Sequence, residues 1–194
     1  MSRIGDAPIL IPAGVTVEKT GQTISVNGPK GKLNLEVNPA VTVDVEANQV
    51  IVKRKSEEKK VKALHGLTRS LIANMVKGVT DGWAKFLDLV GVGFRAQVVG
   101  NKLTLNVGYS HPVDIEAPDG ISFEVIDNLK IKVSGIDKHM VGQIAANIKK
   151  IRVPDVYKGK GIRYEGEYIR KKLGKTGKIG AAGAAGGAGA AAGK

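Results

Sequence analysis

From Ile9 to Lys53 the chain reads as short runs in which apolar and polar residues alternate: Thr23-Ile-Ser-Val26, Leu33-Asn-Leu-Glu-Val37, Val41-Thr-Val-Asp-Val45 and Val50-Ile-Val52. A period of two places every second side chain on one face, so these runs predict half-buried strands. Asn27-Gly28-Pro29 supplies the positive φ and the fixed φ that close a reversal between the first two. After Lys53 the period lengthens. Val61, Leu64, Leu67 with Thr68, Leu71 and Met75 recur every three to four residues, the stripe of an amphipathic helix. Ser56 is its expected N-cap, Glu57 and Glu58 place negative charge at the positive end of the helix dipole, and Gly78 is the expected stop.

The same order then repeats. Phe94–Val98, Leu103–Val107, Val113–Ile115, Ile121–Val125 and Leu129–Val133 predict strands. A second helix follows, with Val141, Ile144, Ala145, Ile148 and Ile151 as its stripe, Asp137 as N-cap and Pro154 just past its end. A shift of 80 residues pairs Gly28 with Gly108, Asn48 with Asn128, Val61 with Val141 and Leu71 with Ile151. Turn residues and the strand-to-helix switch coincide under that shift, which points to an internal duplication. The expected fold class is α+β, with two similar domains, each an antiparallel β-sheet packed with one main α-helix. The expected divisions are residues 1–81, residues 82–178 with a basic C-terminal extension, and a flexible Ala/Gly tail over residues 179–194.

Composition narrows the function. Among 194 residues, 30 Lys and Arg oppose 18 Asp and Glu, giving a formal net charge of +12 that favours a polyanionic partner. Nucleic acid leads. A membrane surface would need a basic amphipathic helix with bulky apolar anchors, and the most basic tract lacks that pattern. Cysteine is absent, which excludes disulfides, thiolate metal sites and a cysteine nucleophile. No apolar run approaches the ~18 residues of a membrane span, and the N-terminus lacks a signal-peptide core, so a cytoplasmic location is expected.

An enzyme finds little to work with. His65, His111 and His139 are scattered and lack metal-ligand spacing, so each is expected to be a surface or capping residue. Gly174-Lys-Thr176 resembles the end of a phosphate-binding loop, but Ile169 stands where that motif needs glycine; Gly91-Val-Gly93 lacks the third glycine of a dinucleotide fingerprint. Neither catalysis, a cofactor nor a metal is expected. Lys53-Arg-Lys55 and Lys59-Lys60 are interrupted by Glu57 and Glu58, and read as a solvated helix start.

The tract from Lys149 to Lys178 differs. Its eleven cations oppose only Asp155, Glu165 and Glu167, a local excess of eight out of the chain's +12. Tyr157, Tyr164 and Tyr168 are interleaved with these charges, and Gly159, Gly161, Gly166, Gly174 and Gly177 permit close backbone approach. Lysine neutralises phosphate, arginine forks onto phosphate or stacks on a base, and tyrosine offers a flat face with a hydroxyl for the ribose 2′-OH. That mixture suits irregular folded RNA. A free-standing RNA chaperone or nucleoid protein would use the same charges; a nuclease would need an acid, base and metal set that is missing.

Pro154-Asp-Val-Tyr-Lys-Gly-Lys-Gly-Ile-Arg-Tyr164, followed by Glu167 and Arg170-Lys-Lys-Leu-Gly-Lys175, resembles the C-terminal signature of the bacterial sixth protein of the large ribosomal subunit. Gly91-Val-Gly-Phe-Arg-Ala96, Gly108-Tyr-Ser-His-Pro-Val113 and Ser134–Gln143 resemble that family's second domain, and Met1-Ser-Arg-Ile-Gly with Asn27-Gly-Pro-Lys-Gly31 its first. The resemblance implies two similar antiparallel domains and binding to large-subunit ribosomal RNA, chiefly through the second, near the stalk base and the site used by translational GTPases. It implies neighbouring ribosomal proteins as further partners. Carried onto this sequence, the contact candidates are Tyr157, Lys158, Lys160, Arg163, Arg170, Lys171, Lys172 and Lys175, with Phe94 and Arg95 as weaker ones.

Overall fold

The structure, a computed structural model, describes residues 4–46 and 48–174. The first half runs β1 (Ile9–Leu10), β2 (Thr16–Thr20), β3 (Thr23–Gly28), β4 (Gly31–Glu36), β5 (Val41–Val45), β6 (Gln49–Arg54) and α1 (Lys59–Thr80). The second runs β7 (Trp83–Val90), β8 (Arg95–Val99), β9 (Lys102–Asn106), β10 (Val113–Glu116), β11 (Ile121–Ile126), β12 (Lys130–Gly135), α2 (Lys138–Ile151) and β13 (Gly161–Tyr164).

Every strand pairing is antiparallel, and the two halves share one plan. In the first, β2-β3-β4 form one sheet and β1-β6-β5 another; in the second, β8-β9-β10 and β7-β12-β11 repeat both orders, and β13 is added on the outer edge of β7. The duplication read from the sequence is therefore a duplication of topology. Each half has its own apolar core, one including Ile24, Val26, Val43, Val50, Ile72 and Val79, the other Leu87, Leu103, Leu105, Ile131, Ala145 and Ile148.

Helix α1 departs from the expected stripe. Its buried face is Val61, His65, Thr68, Ile72, Met75, Val76 and Val79, while Leu67 and Leu71 are 53% and 36% exposed. Two polar residues occupy core positions and displaced the apolar pattern by about one residue. His65, expected at the surface, is 1% exposed: its Nε2 donates to the Val52 carbonyl at 2.8 Å, which ties α1 to β6. The opposite ring nitrogen faces Arg54 Nη1 at 3.5 Å. Ser56 is not the N-cap, because the helix begins at Lys59 after an extended Glu58, and Ser56 Oγ accepts from the Glu58 amide in the preceding bend. Glu57 also lies ahead of the first turn, where Arg54 and then Lys62 hold its carboxyl down at about 2.

The expected stop at Gly78 is also corrected, since the helix continues to Thr80. A side chain at Gly78 would collide with the Ile136 carbonyl, so this glycine is there to let α1 touch the connection between β12 and α2. The helix ends instead at Gly82 (φ 80°), whose amide and that of Asp81 return to the Lys77 carbonyl, while Lys30 Nζ donates to the Asp81 carbonyl. Glycine in the β3–β4 reversal has the same logic: the positive φ falls on Gly31 (141°), whereas Gly28 leaves room for Val79.

Trp83 locks the halves together. Its indole N–H donates to the Asn74 carbonyl at 3.1 Å, and Lys77 and Lys138 lie 4.9 and 4.5 Å from the ring centroid. Lys138 also donates to Asn74 Oδ1 at 3.2 Å. In α2 the expected cap is present, with Asp137 Oδ1 accepting from the His139 amide at 2.8 Å.

Two glycines in helices give opposite expectations for alanine. Gly142 faces open space, so Gly142→Ala should raise stability by roughly 0.5–1 kcal/mol through helix propensity alone. Gly78→Ala should instead lower it by about 1–3 kcal/mol through overpacking against Ile136. Chemical denaturation of both variants checks the sign; stabilisation by Gly78→Ala would show that the contact between halves is loose.

Candidate nucleic-acid interface

The basic tract begins where α2 runs out of room. Pro154 stops the helix and is buried against Gly161, where a Cβ would lie 2.5 Å from the Pro154 Cα and 2.9 Å from the Arg152 carbonyl oxygen. Only glycine permits that crossing, and its φ of 152° is one that side chains disfavour. The Ile162 amide then donates to the Arg152 carbonyl at 2.8 Å, and the Asp155 amide to the Lys160 carbonyl at 2.9 Å.

Asp155 organises the loop between them. Its Oδ2 accepts from the Lys158 amide at 3.0 Å, and its carbonyl from the Gly159 amide at 2.8 Å. Backbone amides of Lys158 and Tyr157 hold its carboxyl below the usual range. The chain later returns beside this loop: the Lys172 amide donates to the Val156 carbonyl at 2.9 Å, and Lys171 passes over Gly159. Lys158, Lys160, Lys171 and Lys172 thus converge, all exposed, with Tyr157 (57% exposed) on the same loop.

Several other residues of the tract are engaged within the protein. Arg163 lies on β13 directly across from Asp88, with Nε 3.8 Å from Oδ2, and strand alternation puts it on the sheet face away from α2. Among the described residues, Asp88 Oδ1 and Arg163 Nε have no hydrogen-bond partner. Tyr164 is half-buried on the other face, with Lys85 and Lys149 Nζ 5.4 and 4.6 Å from its ring centroid. Lys149 donates to both oxygens of Glu167, at 2.6 and 2.7 Å, and Glu167 Oε2 accepts from the Tyr164 amide at 3.0 Å. Lys149 chiefly, then that amide, holds the Glu167 carboxyl below its ordinary range. Glu165 pairs with Lys130 at 3.1 Å.

The three tyrosines therefore separate: Tyr164 packs, while Tyr157 and Tyr168 (88% exposed) face solvent. Arg170 is exposed, and among the described residues none of Lys158, Lys160, Arg170, Lys171 and Lys172 makes an ion pair. Arg95 is exposed on β8 opposite Asn106. Phe94 is corrected: its ring is 8% exposed, beneath Gly91 and Gly108, and offers no face to a base. That contact also accounts for Gly91 as packed backbone. Lys175 and the Ala/Gly tail lie outside the described residues. Sequence reasoning passed over Tyr109, which the fold brings from the β9–β10 connection to the end of α2, next to Arg152. Among the described residues no cluster could hold a metal ion, and no helix is long and apolar enough to cross a membrane.

Fold and surface together define a class: a duplicated α+β protein that presents a basic loop whose one acid, Asp155, is held by backbone amides. The family model for ribosomal protein L6 matches residues 11–82 and 90–165. The large ribosomal subunit protein uL6 of Halalkalibacterium halodurans is 59% identical over 176 residues, covering 91% of this chain and 99% of that protein. That of Caldicellulosiruptor saccharolyticus is also 59% identical over 176 residues, 91% of this chain and 97% of its own. That of Listeria welshimeri is 55% identical, again over 91% of this chain, and 99% of its own. The chain belongs to the ribosomal protein L6 family, whose members are structural, non-enzymatic components of the cytoplasmic ribosome.

Because the folded Glu167 carboxyl is depressed, its stabilisation of the Tyr164 turn is complete above the ordinary value of 4.5 and is lost as pH falls through the lower folded value. An NMR titration should find Glu167 ionising below 4.5, and Lys149→Met should move that midpoint up toward it. A midpoint indifferent to Lys149→Met would mean that the pair does not hold the turn.

Proposed function

We propose that this chain, by its family a structural constituent of the large ribosomal subunit, grips large-subunit ribosomal RNA through the surface carrying Tyr157, Lys158, Lys160, Arg170, Lys171 and Lys172. Arg163 and Arg95 are further contacts on this reading, as is Lys175, which lies outside the described residues. The observation that carries this reading is the division of labour in the tract. All three of its acids are already engaged, Asp155 by backbone amides, Glu165 by Lys130 and Glu167 by Lys149, and the unpaired cations keep their charge for phosphate. Its loop is preorganised by backbone hydrogen bonds, which lowers the entropy lost on binding.

Residues 82–178 are then the RNA-binding domain and residues 1–81 a platform whose outer surfaces face neighbouring ribosomal proteins. On this reading the contact lies near the stalk base and the translation-factor site, as the family resemblance implies, and truncation after Ile179 should cost little affinity.

Changing Lys158, Lys160 and Lys171 together to Ala should weaken binding to large-subunit ribosomal RNA and flatten its salt dependence. Each lost phosphate contact should lower the log-log slope by about 0.7–0.9. Titrations at several salt concentrations measure this, and an unchanged slope would move the contact surface elsewhere.

A further inference from the structure

Beside the basic loop, three flat groups from two distant segments of the chain meet at the C-terminal end of α2. Tyr109 donates its hydroxyl to the Ile151 carbonyl at 2.8 Å, one of the helix's unpaired terminal acceptors. The Arg152 guanidinium carbon lies 5.1 Å from the Tyr109 ring centroid. On the same segment the His111 ring stacks with Tyr109, the centroids 6.4 Å apart and the planes 19° from parallel. All three residues are exposed, Tyr109 at 44%. No acid occurs in Gly108–Val113 or Lys149–Pro154, and among the described residues Arg152 forms no ion pair.

We propose that Arg152, Tyr109 and His111 form a stacking platform for an unpaired nucleobase of the bound RNA. The hydroxyl bond to Ile151 fixes the tilt of the Tyr109 ring, so the platform is rigid before the ligand arrives. Helix capping explains the hydroxyl alone; it does not require an aromatic neighbour at His111 or a guanidinium over the ring. Phosphate neutralisation does not require them either, since a lysine would serve as well as Arg152. What the three share is planarity and solvent access, the properties by which proteins hold splayed bases. The adjoining Lys150 and the basic loop supply charge for the flanking backbone. This inference rests on the RNA-binding reading and adds to it a contact of a different chemical kind.

Stacking and charge neutralisation leave different signatures in a salt titration. With the full-length protein and large-subunit ribosomal RNA as the probe, Tyr109→Leu should lower affinity about tenfold at every salt concentration and leave the log-log slope unchanged. Tyr109→Phe, which keeps the ring and removes the cap, should bind within about twofold of wild type while melting at a lower temperature. His111→Ala, a surface change with no fold consequence, should weaken binding severalfold, again without a change in slope. If Tyr109→Leu and His111→Ala bind like wild type, the platform is excluded and the RNA-binding reading stands. Equal losses in Tyr109→Phe and Tyr109→Leu would overturn stacking in favour of capping alone, with His111→Ala then unaffected. Failure of the wild-type protein itself to bind would sink the wider reading instead.

Discussion

The crossing of Pro154 over Gly161 is the constraint on which the basic half of this protein depends. A proline there ends α2, and a glycine there lets the chain turn back within van der Waals distance of its own helix terminus. Once the crossing is made, Ile162 is carried into the core and hydrogen-bonds to Arg152, and β13 zips onto β7 over four residue pairs. The loop between Pro154 and Gly161 is then a closed turn whose two ends are fixed in a packed domain. Its lysines project from a rigid base. A basic tail without the crossing would carry the same charge and present it in no particular geometry.

The alternating strands, the repeat and the cap at Asp137 were legible in the sequence because each rests on a local pattern. What was missed needed partners from elsewhere. Strand β7, Trp83 to Val90, hides because its early residues Ala84 and Lys85 are exposed, and only Leu87 and Leu89 on its core face are deeply buried. Strand β13 is Gly-Ile-Arg-Tyr within a run of charge, and it is a strand because β7 offers it an open edge. In α1 the polar His65 takes a core place, since the Val52 carbonyl satisfies the imidazole; a hydropathy pattern assigns such a residue to the surface.

The candidate surface was legible in the same uneven way. The clustering of lysines between Lys158 and Lys172 needs only a charge count, and the sequence carries it. That Arg163 is half committed to Asp88 depends on cross-strand register, and that Phe94 is core depends on Gly91 and Gly108 leaving room for its ring. Tyr109 and Arg152 are far apart in sequence, and no local signal joins them. Charge composition thus located the surface, and tertiary pairing decided which of its cations are free to act.

Comparing the halves shows how the basic loop and its return strand were added to a common scaffold. In the first half the edge equivalent to β7 belongs to β1, two residues long, and among the described residues nothing adds a strand to it. Helix α1 there runs for 22 residues against 14 in α2, and passes directly into β7. The second half shortens the helix and spends the remaining chain on the turn and the return strand. The cost to the first half is an unpaired edge, which its brevity keeps from acting as a template for other strands. The longer helix presses Gly78 on Ile136, and its Lys77, with Lys138 of α2, lies over Trp83. One copy of the repeat became the anchor, and that anchoring fixes the other copy's loop relative to the whole molecule.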